Sequence, residues 1–322
     1  MSTRVLVAGG AGYIGGCVTD ELIRLKVPFT VYDNLTYERC YLKPVNFIYG
    51  DVRNRSKLKD LLRDHTHVIW LAAIVGDAAC EIKPELTHEI NAESVAWLAT
   101  HFKRKIIFTS TCSVYGLNEK PVSENSVPNP LSTYARTKLL AEKNLDKSDA
   151  LIFRLGTAFG RGDTFSRIRM DLVVNYMTFN ALQYKKITVF GGNQWRPFIH
   201  VRDIARIITS NLFNKHKGTY NITTQNMTIT NLAKIIQLET HCAVEFTDEK
   251  MKDTRNYRAI VKKALADKLF ATHTRYTIRY GVKEMRELVI SKRVRELDQE
   301  YYSNHKMLLK TIELYKNTYL NE

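Results

Sequence analysis

The sequence predicts an α/β fold: a doubly wound parallel sheet with a smaller C-terminal lobe. Three observations carry this. The chain opens on a short apolar run, Arg4-Val5-Leu6-Val7-Ala8, suited to a buried parallel strand, and it leads straight into a glycine-punctuated turn. Apolar runs then alternate with helix-patterned segments as far as Phe108, the pattern of a parallel sheet covered by helices. The length, 322 residues, exceeds what one core usually fills and leaves room for a second lobe.

Composition narrows the class. A hydrophobic share of 44% with a full set of aromatics describes a folded globular chain. No apolar run approaches the ~18 residues of a membrane span. The stretch from Val5 to Gly16 is broken by glycines and lacks a signal-peptide layout. Cys17, Cys40, Cys80, Cys112 and Cys242 are scattered and odd in number. They fit reduced thiols in a cytoplasmic protein and argue against a zinc site, so no metal is expected. The net charge of +15 is spread without a dense tract or a nucleic-acid module. A basic surface facing a small anionic substrate explains it equally well, and neither nucleic acid nor membrane is the expected partner.

The first element is the strand ending at Ala8. Gly9, Gly12 and Gly15 follow at Gly-x-x-Gly-x-x-Gly spacing around Tyr13 and Ile14, and Cys17 to Lys26 reads as a helix. Strand, glycine turn and helix are the context of a dinucleotide fingerprint, giving a tight turn and close approach of backbone to a pyrophosphate. The helix N-terminus adds amide donors and the positive end of its dipole. A second strand, Phe29 to Tyr32, ends at Asp33-Asn34. An acid there suits the adenosine ribose and repels a 2′-phosphate, which favours NAD over NADP.

The third strand runs from Asn46 to Asp51-Val52, whose acid is placed to meet the adenine amino group. Leu58 to Arg63 is helical, and the fourth strand, Val68 to Ala73, ends in Leu71-Ala72-Ala73, small enough for a cofactor to lie against the backbone. A helix from Ile90 to Phe102 opens near Asn91, and the fifth strand starts at Ile106 and runs into Thr109-Ser110-Thr111-Cys112-Ser113-Val114-Tyr115-Gly116. Ligands of such sheets sit at the carboxyl ends of the strands. Beyond a proline-containing loop comes Ser132-Thr133-Tyr134-Ala135-Arg136-Thr137-Lys138, opening a helix read from Tyr134 to Lys147. Tyr134 and Lys138 share one face of it and reach one pocket. A lysine beside a phenol lowers the phenol pKa and makes it a proton shuttle. Tyr-x-x-x-Lys alone also arises by chance, as an aromatic packed on an aliphatic stem.

Taken in order, the glycine turn, Asp33, Asp51-Val52, Leu71-Ala72-Ala73, Asn91, Thr111 with Val114-Tyr115-Gly116, and Tyr134/Lys138 resemble the extended short-chain dehydrogenase/reductases of the NAD-dependent epimerase/dehydratase family, which act on nucleotide sugars. The resemblance continues through Phe153 to Gly160, Ile187 to Gly192, Arg196 to Asp203 and Thr219 to Ile222, and covers about residues 4 to 290. It implies a Rossmann-type domain over 1–165, with 200–222 returning to it. The remainder, 166–199 and 223–322, would form the substrate lobe and a helical tail. It implies Tyr134 as catalytic base, Lys138 supporting the phenolate and binding the nicotinamide ribose, and Thr111 donating to the sugar oxygen at carbon 4. Hydride transfer from carbon 4 to NAD would give a 4-keto sugar.

Substrate contacts implied by the resemblance are Thr111, Cys112, Thr157, Asp171, Leu172, Phe190, Arg196 and Arg255, with the two arginines on the diphosphate. Cys112 also has a reading as a thiol that only packs, Phe190 as a core aromatic and Arg255 as a surface ion pair; His200 reads as a hydrogen-bonded structural residue. Two features depart from the family pattern, Thr157 and the loop Ile74 to Cys80, which does not read like that of galactose 4-epimerases. Family 4,6-dehydratases carry an acid pair where this chain has Cys112-Ser113, so that reaction is not expected. Thr157 replaces the usual asparagine. The loop Ile74 to Cys80, with Arg169 to Asn175 and Gln194 to Pro197, looks like a subgroup of nucleotide-hexose or heptose 4-dehydrogenases and reductases.

The expected function is therefore an NAD-dependent nucleotide-diphosphate-sugar epimerase or 4-dehydrogenase. The alternatives are a 4-ketoreductase and, from another class, a non-catalytic NAD(H)-sensing protein. A homodimer through the Asn91 and Tyr134 helices is the family expectation. The tail from Lys283 is charged and helical in pattern, with Leu297, Tyr301, Met307-Leu308, Ile312 and Tyr315 as an apolar seam that wraps the molecule or a partner subunit.

Overall fold

The computed structural model describes residues 3–38, 40–247, 255–269, 274–295 and 300–319, the last segment without side chains beyond 313. Seven strands form the central sheet: β1 (Val5–Ala8), β2 (Phe29–Asp33), β3 (Phe47–Tyr49), β4 (His67–Trp70), β5 (Lys105–Thr111), β6 (Ala150–Leu155) and, far later in sequence, Gly218–Ile222. Every pairing in it is parallel, and outward from β1 the order runs to β2 and β3 on one side and to β4, β5, β6 and Gly218–Ile222 on the other. The strand order therefore reverses between β1 and β4, the place where a doubly wound sheet opens a crevice at its carboxyl edge.

Alternation within β1 shows why the sheet is buried twice. Val5 and Val7 point into a core with Val18, Leu22, Ile204 and Ile208, whereas Leu6 and Ala8 point into a second core with Leu58, Trp70, Val95 and Phe108. Period-2 alternation with both faces apolar is what a parallel strand requires.

Two small sheets lie outside the main one. β7 (Thr157–Phe159) pairs in parallel with β9 (Trp195–His200), which pairs antiparallel with β11 (Gln225–Thr228); β8 (Lys186–Phe190) pairs in parallel with β12 (Ala243–Thr247), and the sheet strand Gly218–Ile222 is β10. Their apolar core gathers Phe159, Val174, Val189, Phe198, Leu232 and Val282.

Several boundaries move from the sequence expectation. The first helix is Tyr13–Arg24, so it begins directly on the glycine turn. The segment read as one helix from Ile90 is a wide, π-type turn over Glu89–Glu93 followed by helix Ser94–His101. The Tyr134 helix is Thr133–Leu145. The tail is two helices, Ile278–Ile290 and Asn304–Tyr319. Its seam is met on this chain: Met307 and Leu308 are buried, and Tyr301 and Ile312 pack partly buried against core clusters. Leu297 and the side chain of Tyr315 lie outside the described residues. Among the described residues, no helix is long and apolar enough to cross a membrane, and no group of three or more His, Cys, Asp or Glu could hold a metal.

Candidate active site

The glycine turn is shaped by space. Gly9 has φ +80°, and a Cβ there would lie 2.5 Å from the Ala72 amide nitrogen at the end of β4. A Cβ on Gly15 would lie 2.4 Å from the Gly9 carbonyl, so the first helical turn sits directly on the loop. At Gly12 a Cβ would meet only the Gly9 carbonyl, at 3.5 Å, and Gly12 caps the helix with no side chain on the first amides. Free amides at a bare helix start fit a pyrophosphate. Ile14 packs partly buried against the first core.

Asp33 closes the other side of that turn. Its carboxylate accepts from the Ala11 amide at 3.1 Å and the Leu35 amide at 2.8 Å, which leaves each oxygen further lone-pair capacity for a ribose hydroxyl. Burial pushes its carboxyl up, and the backbone donors only partly offset this. Asn34 donates to Asp51 at 2.9 Å. The Asp51 carboxylate also takes the Arg53 guanidinium at 3.0 Å. Burial pushes Asp51 up, but the Arg53 contacts outweigh it and hold the group below its ordinary value. Leu71, Ala72 and Ala73 remain partly exposed along the crevice. The turn, Asp33 and the small β4 end thus fit a dinucleotide.

The proton-handling group assembles across that crevice. Ser132 caps the Thr133–Leu145 helix, accepting from the Ala135 amide at 3.2 Å, and so fixes the phase at which Tyr134 and Lys138 project. Tyr134 is half-buried, and the Thr111 side chain at the end of β5 is close enough to its phenol to oppose the upward push of burial. Thr111 itself accepts from the Ser113 amide at 3.0 Å. Lys138 is buried, its ammonium 4.0 Å from the centre of the Phe108 ring. Burial draws the Lys138 ammonium down to about 7, against a smaller opposing pull from Glu142. The Tyr134 phenol moves the other way from the sequence expectation: burial and then the neighbouring Cys80 and Asp77 push it up, while Thr111 and Arg169 oppose them. The correction is physical. The phenol sits in a poorly solvated place, and Lys138 is not among the groups that lower it.

Other expected residues are placed differently. Asn91 is buried and spent on the main chain, accepting from the Ile74 amide at 2.8 Å and donating to the Ile74 carbonyl at 2.9 Å. It positions the loop after β4 instead of presenting its amide to a ligand. The Tyr13 hydroxyl donates to the Gly160 carbonyl at 2.8 Å, and the Val52 side chain is buried in the second core. Cys112 is also removed from the mouth: its thiol donates to the Arg154 carbonyl at 3.2 Å within a cluster containing Val114, Tyr115 and Tyr257. The short 3₁₀ turn Cys112–Tyr115 directs that side chain behind the strand end. Thr157 opens β7 opposite Phe198, Leu172 caps the helix Val173–Gln183, and Phe190 ends β8 with its carbonyl held by Gln194 at 3.0 Å. His200 is the structural residue expected, bonded to Glu284 at 2.9 Å and fully buried.

The two expected arginines do meet. Arg196 donates to the main-chain carbonyl of Arg255, and the Arg255 guanidinium reaches Ser113 at 3.0 Å and Asp77 at 3.4 Å. Ser113 and Asp77 were not singled out by sequence reasoning. Neither was Arg169, which pairs with Asp171 at 2.6 Å and lies 6.0 Å from the Tyr13 ring centre beside the glycine turn. Asp171 is therefore engaged, accepting from Arg169 and, at 2.9 Å, from the Asn304 amide. A charged pair two residues apart, inside the Arg169–Asn175 segment that the resemblance had marked, was the available signal.

Known proteins resemble this chain in sequence and in fold. A family model described as the NAD dependent epimerase/dehydratase family matches residues 5–223. A Bacillus subtilis (strain 168) protein described as an uncharacterized UDP-glucose epimerase is 30% identical over 242 residues, 66% of this chain and 73% of the relative. A putative UDP-glucose 4-epimerase of Methanocaldococcus jannaschii is 28% identical over 279 residues, 81% of this chain and 90% of its own length. Among solved structures, the UDP-glucose 4-epimerase of Thermotoga maritima with UDP-glucose has a TM-score of 0.78 at 23% identity, covering 91% of this chain and 100% of that one. At that identity the likeness is one of fold.

Proposed function

This chain belongs to the NAD-dependent epimerase/dehydratase family, and we propose on that premise that it is a nucleotide-diphosphate-sugar epimerase or 4-dehydrogenase working through a 4-keto species. The observation that carries the reading is the nearness of Thr111 to the Tyr134 phenol at the sheet edge that also bears the glycine turn and Asp33. Bound between the glycine turn and Asp33, NAD would supply the hydride acceptor for carbon 4. Tyr134 would accept the proton of the carbon-4 hydroxyl as a phenolate, a form that a bound, positively charged nicotinamide ring would favour against the burial that raises the phenol, and Thr111 would hold that oxygen beside it. Lys138 sits one helical turn away, placed for the ribose hydroxyls of the same cofactor. The names of the relatives support a UDP-sugar as substrate. Arg196 and Arg255 would hold its diphosphate, with Asp77 and Ser113 fixing the direction of Arg255.

The burial of Cys112 supports a reaction that expels no water. Its thiol is turned into the cluster with Tyr257, and burial pushes it far up, so it is a poor acid for eliminating a hydroxyl. A homodimer through helices Ser94–His101 and Thr133–Leu145 in the cytoplasm completes the proposal; Leu140 is an exposed apolar side chain on the second of these. The test is direct. The purified protein is analysed by mass for retained dinucleotide, then offered UDP-, dTDP-, GDP- and CDP-sugars. Retained NAD with an inverted carbon-4 centre is expected of an epimerase, and accumulating keto sugar of a dehydrogenase. Undiminished turnover in Tyr134→Phe, or loss of one water from the product, would overturn the reading.

A further inference from the structure

We infer that the C-terminal helix Asn304–Tyr319 is a movable strap over the Tyr134 face, and that ligand exchange at this face requires the strap to lift. The inference rests on the proposed reading of Tyr134 as the reacting centre.

Leu308 is 2% exposed and packs with Ile74, Ala79 and Cys80 of the loop after β4. Tyr134, Tyr37 and Ile312 border the same cluster. Tyr37 lies just beyond Asp33, so one apolar cluster joins one face of the helix to the cofactor-side loop, the β4 loop and the tyrosine itself. Leu308 packs on the same loop cluster that Tyr134 packs against, so a ligand group that reaches Tyr134 enters beside the strap.

The start of the helix carries polar fastenings. The Asn304 amide donates to Asp171 at 2.9 Å and its side chain to the Val75 carbonyl at 2.7 Å. Arg167 donates to the Asn304 side-chain oxygen and, at 2.9 Å, to the Tyr301 carbonyl. Further along, the Thr311 hydroxyl donates to the Thr36 carbonyl at 3.0 Å. These fastenings bridge residues that a substrate and a cofactor would both approach: Asp171, Val75 and Thr36. None is part of a strand ladder, and the attachment is one apolar cluster plus a handful of hydrogen bonds. Segments held in this way open locally while the rest of a domain stays folded.

The chain contains its own reporter. Cys80 is fully buried in the cluster that Leu308 completes, and burial, with Asp77 next to it, pushes the thiol up to about 12. A lifted strap exposes the thiol to a maleimide. Cys40 is exposed and reacts regardless, so a Cys40→Ser background is used. In that background Leu308→Asp should speed Cys80 labelling and the exchange of bound NAD for labelled NAD by at least about tenfold, the factor set by about 1.4 kcal/mol of lost closure. Asn304→Ala, which removes polar fastenings without burying a charge, is the second variant and should move both rates in the same direction. Unchanged labelling in folded Asn304→Ala would overturn the strap; faster labelling with unchanged NAD exchange would overturn its place on the ligand path. A wild-type protein that binds no dinucleotide would sink the functional reading, and Cys80 labelling would still decide whether the helix lifts.

Discussion

The Ser132 hydroxyl donates to the Asp77 carboxylate at 2.6 Å while accepting from the Ala135 amide. One side chain thus caps the Tyr134 helix and ties it to the loop that follows β4. The second Asp77 oxygen faces Arg255 at 3.4 Å, so the same carboxylate links the helix to an arginine assigned to the diphosphate. Asp77→Ala should lower stability by about 1 kcal/mol, the scale of one cap and one hydrogen bond. Asp77→Asn keeps an acceptor for Ser132 but loses the charge facing Arg255. It should hold its stability yet raise KM for the nucleotide sugar several-fold. Chemical denaturation and steady-state kinetics on the pair check this; equal stability losses in both variants would contradict the link through Ser132.

Lys138 gives a pH dependence of stability. Its ammonium titrates near 7 in the folded chain against 10.5 for an unperturbed lysine, because burial disfavours the charge. Between these values the unfolded chain binds the extra proton, so folding stability rises with pH across that window. Below the lower value both states are protonated and the burial cost is present in full. Lys138→Met removes the charge. In the ligand-free protein it should therefore stabilise by on the order of 2 kcal/mol at pH 6. The advantage should shrink as pH rises toward 9. Thermal denaturation of both proteins across that range measures it, and a gap that widened with pH would reverse the sign of the argument.

In the proposed reading Asp33 discriminates between the two cofactors. Its carboxylate is fixed by the Ala11 and Leu35 amides, so it cannot swing away from a 2′-phosphate. Asp33→Ser removes the repulsion and keeps a hydroxyl. It should weaken NAD binding roughly tenfold and bring NADP toward parity. Titration with both dinucleotides reads this, and a wild-type protein that bound NADP as tightly as NAD would remove Asp33 from the role.

Local periodicity made the fold legible, and polar contacts across the fold set the limit. β1, the glycine turn and Asp33 lie within one short βαβ stretch, so their relation could be read from spacing. Thr111 and Tyr134 were marked by the family resemblance, and the fold brings their strand end and helix start together. Asp77, Ser113 and Arg169 act through partners elsewhere in the fold. Asp77 meets Arg255 only once the chain has closed, and no periodicity encodes that meeting. Cys112 takes the packing-thiol reading and not that of a substrate contact, because the 3₁₀ turn after β5 sends its side chain away from that of Thr111. The seam of the tail was legible as an amphipathic stripe; its resting place on the loop after β4 was not.

Arg154 and Glu142 offer the sharpest test of how the site is held. Glu142 lies one helical turn beyond Lys138, and its carboxylate takes Arg154 through two nitrogens, at 3.1 and 2.6 Å, with both side chains buried. Ser110 donates to the same carboxylate, and Arg154 donates to the Tyr115 hydroxyl at 2.8 Å, which in turn donates to Asn221 at 2.7 Å. The network joins β5, β6, β10 and the Tyr134 helix beneath the site. Removing one partner strands the other charge in a place water does not reach, and Arg154→Met should therefore cost about 3–5 kcal/mol. Replacing both, as Glu142→Met with Arg154→Met, leaves no buried charge and should recover most of that loss. Activity should not recover with stability. Glu142 supports the charged form of Lys138, so the double variant should need a lower pH to protonate that amine. Urea denaturation of the two single variants and the double closes the cycle. A double variant as unstable as the sum of the singles would show that the two charges act independently.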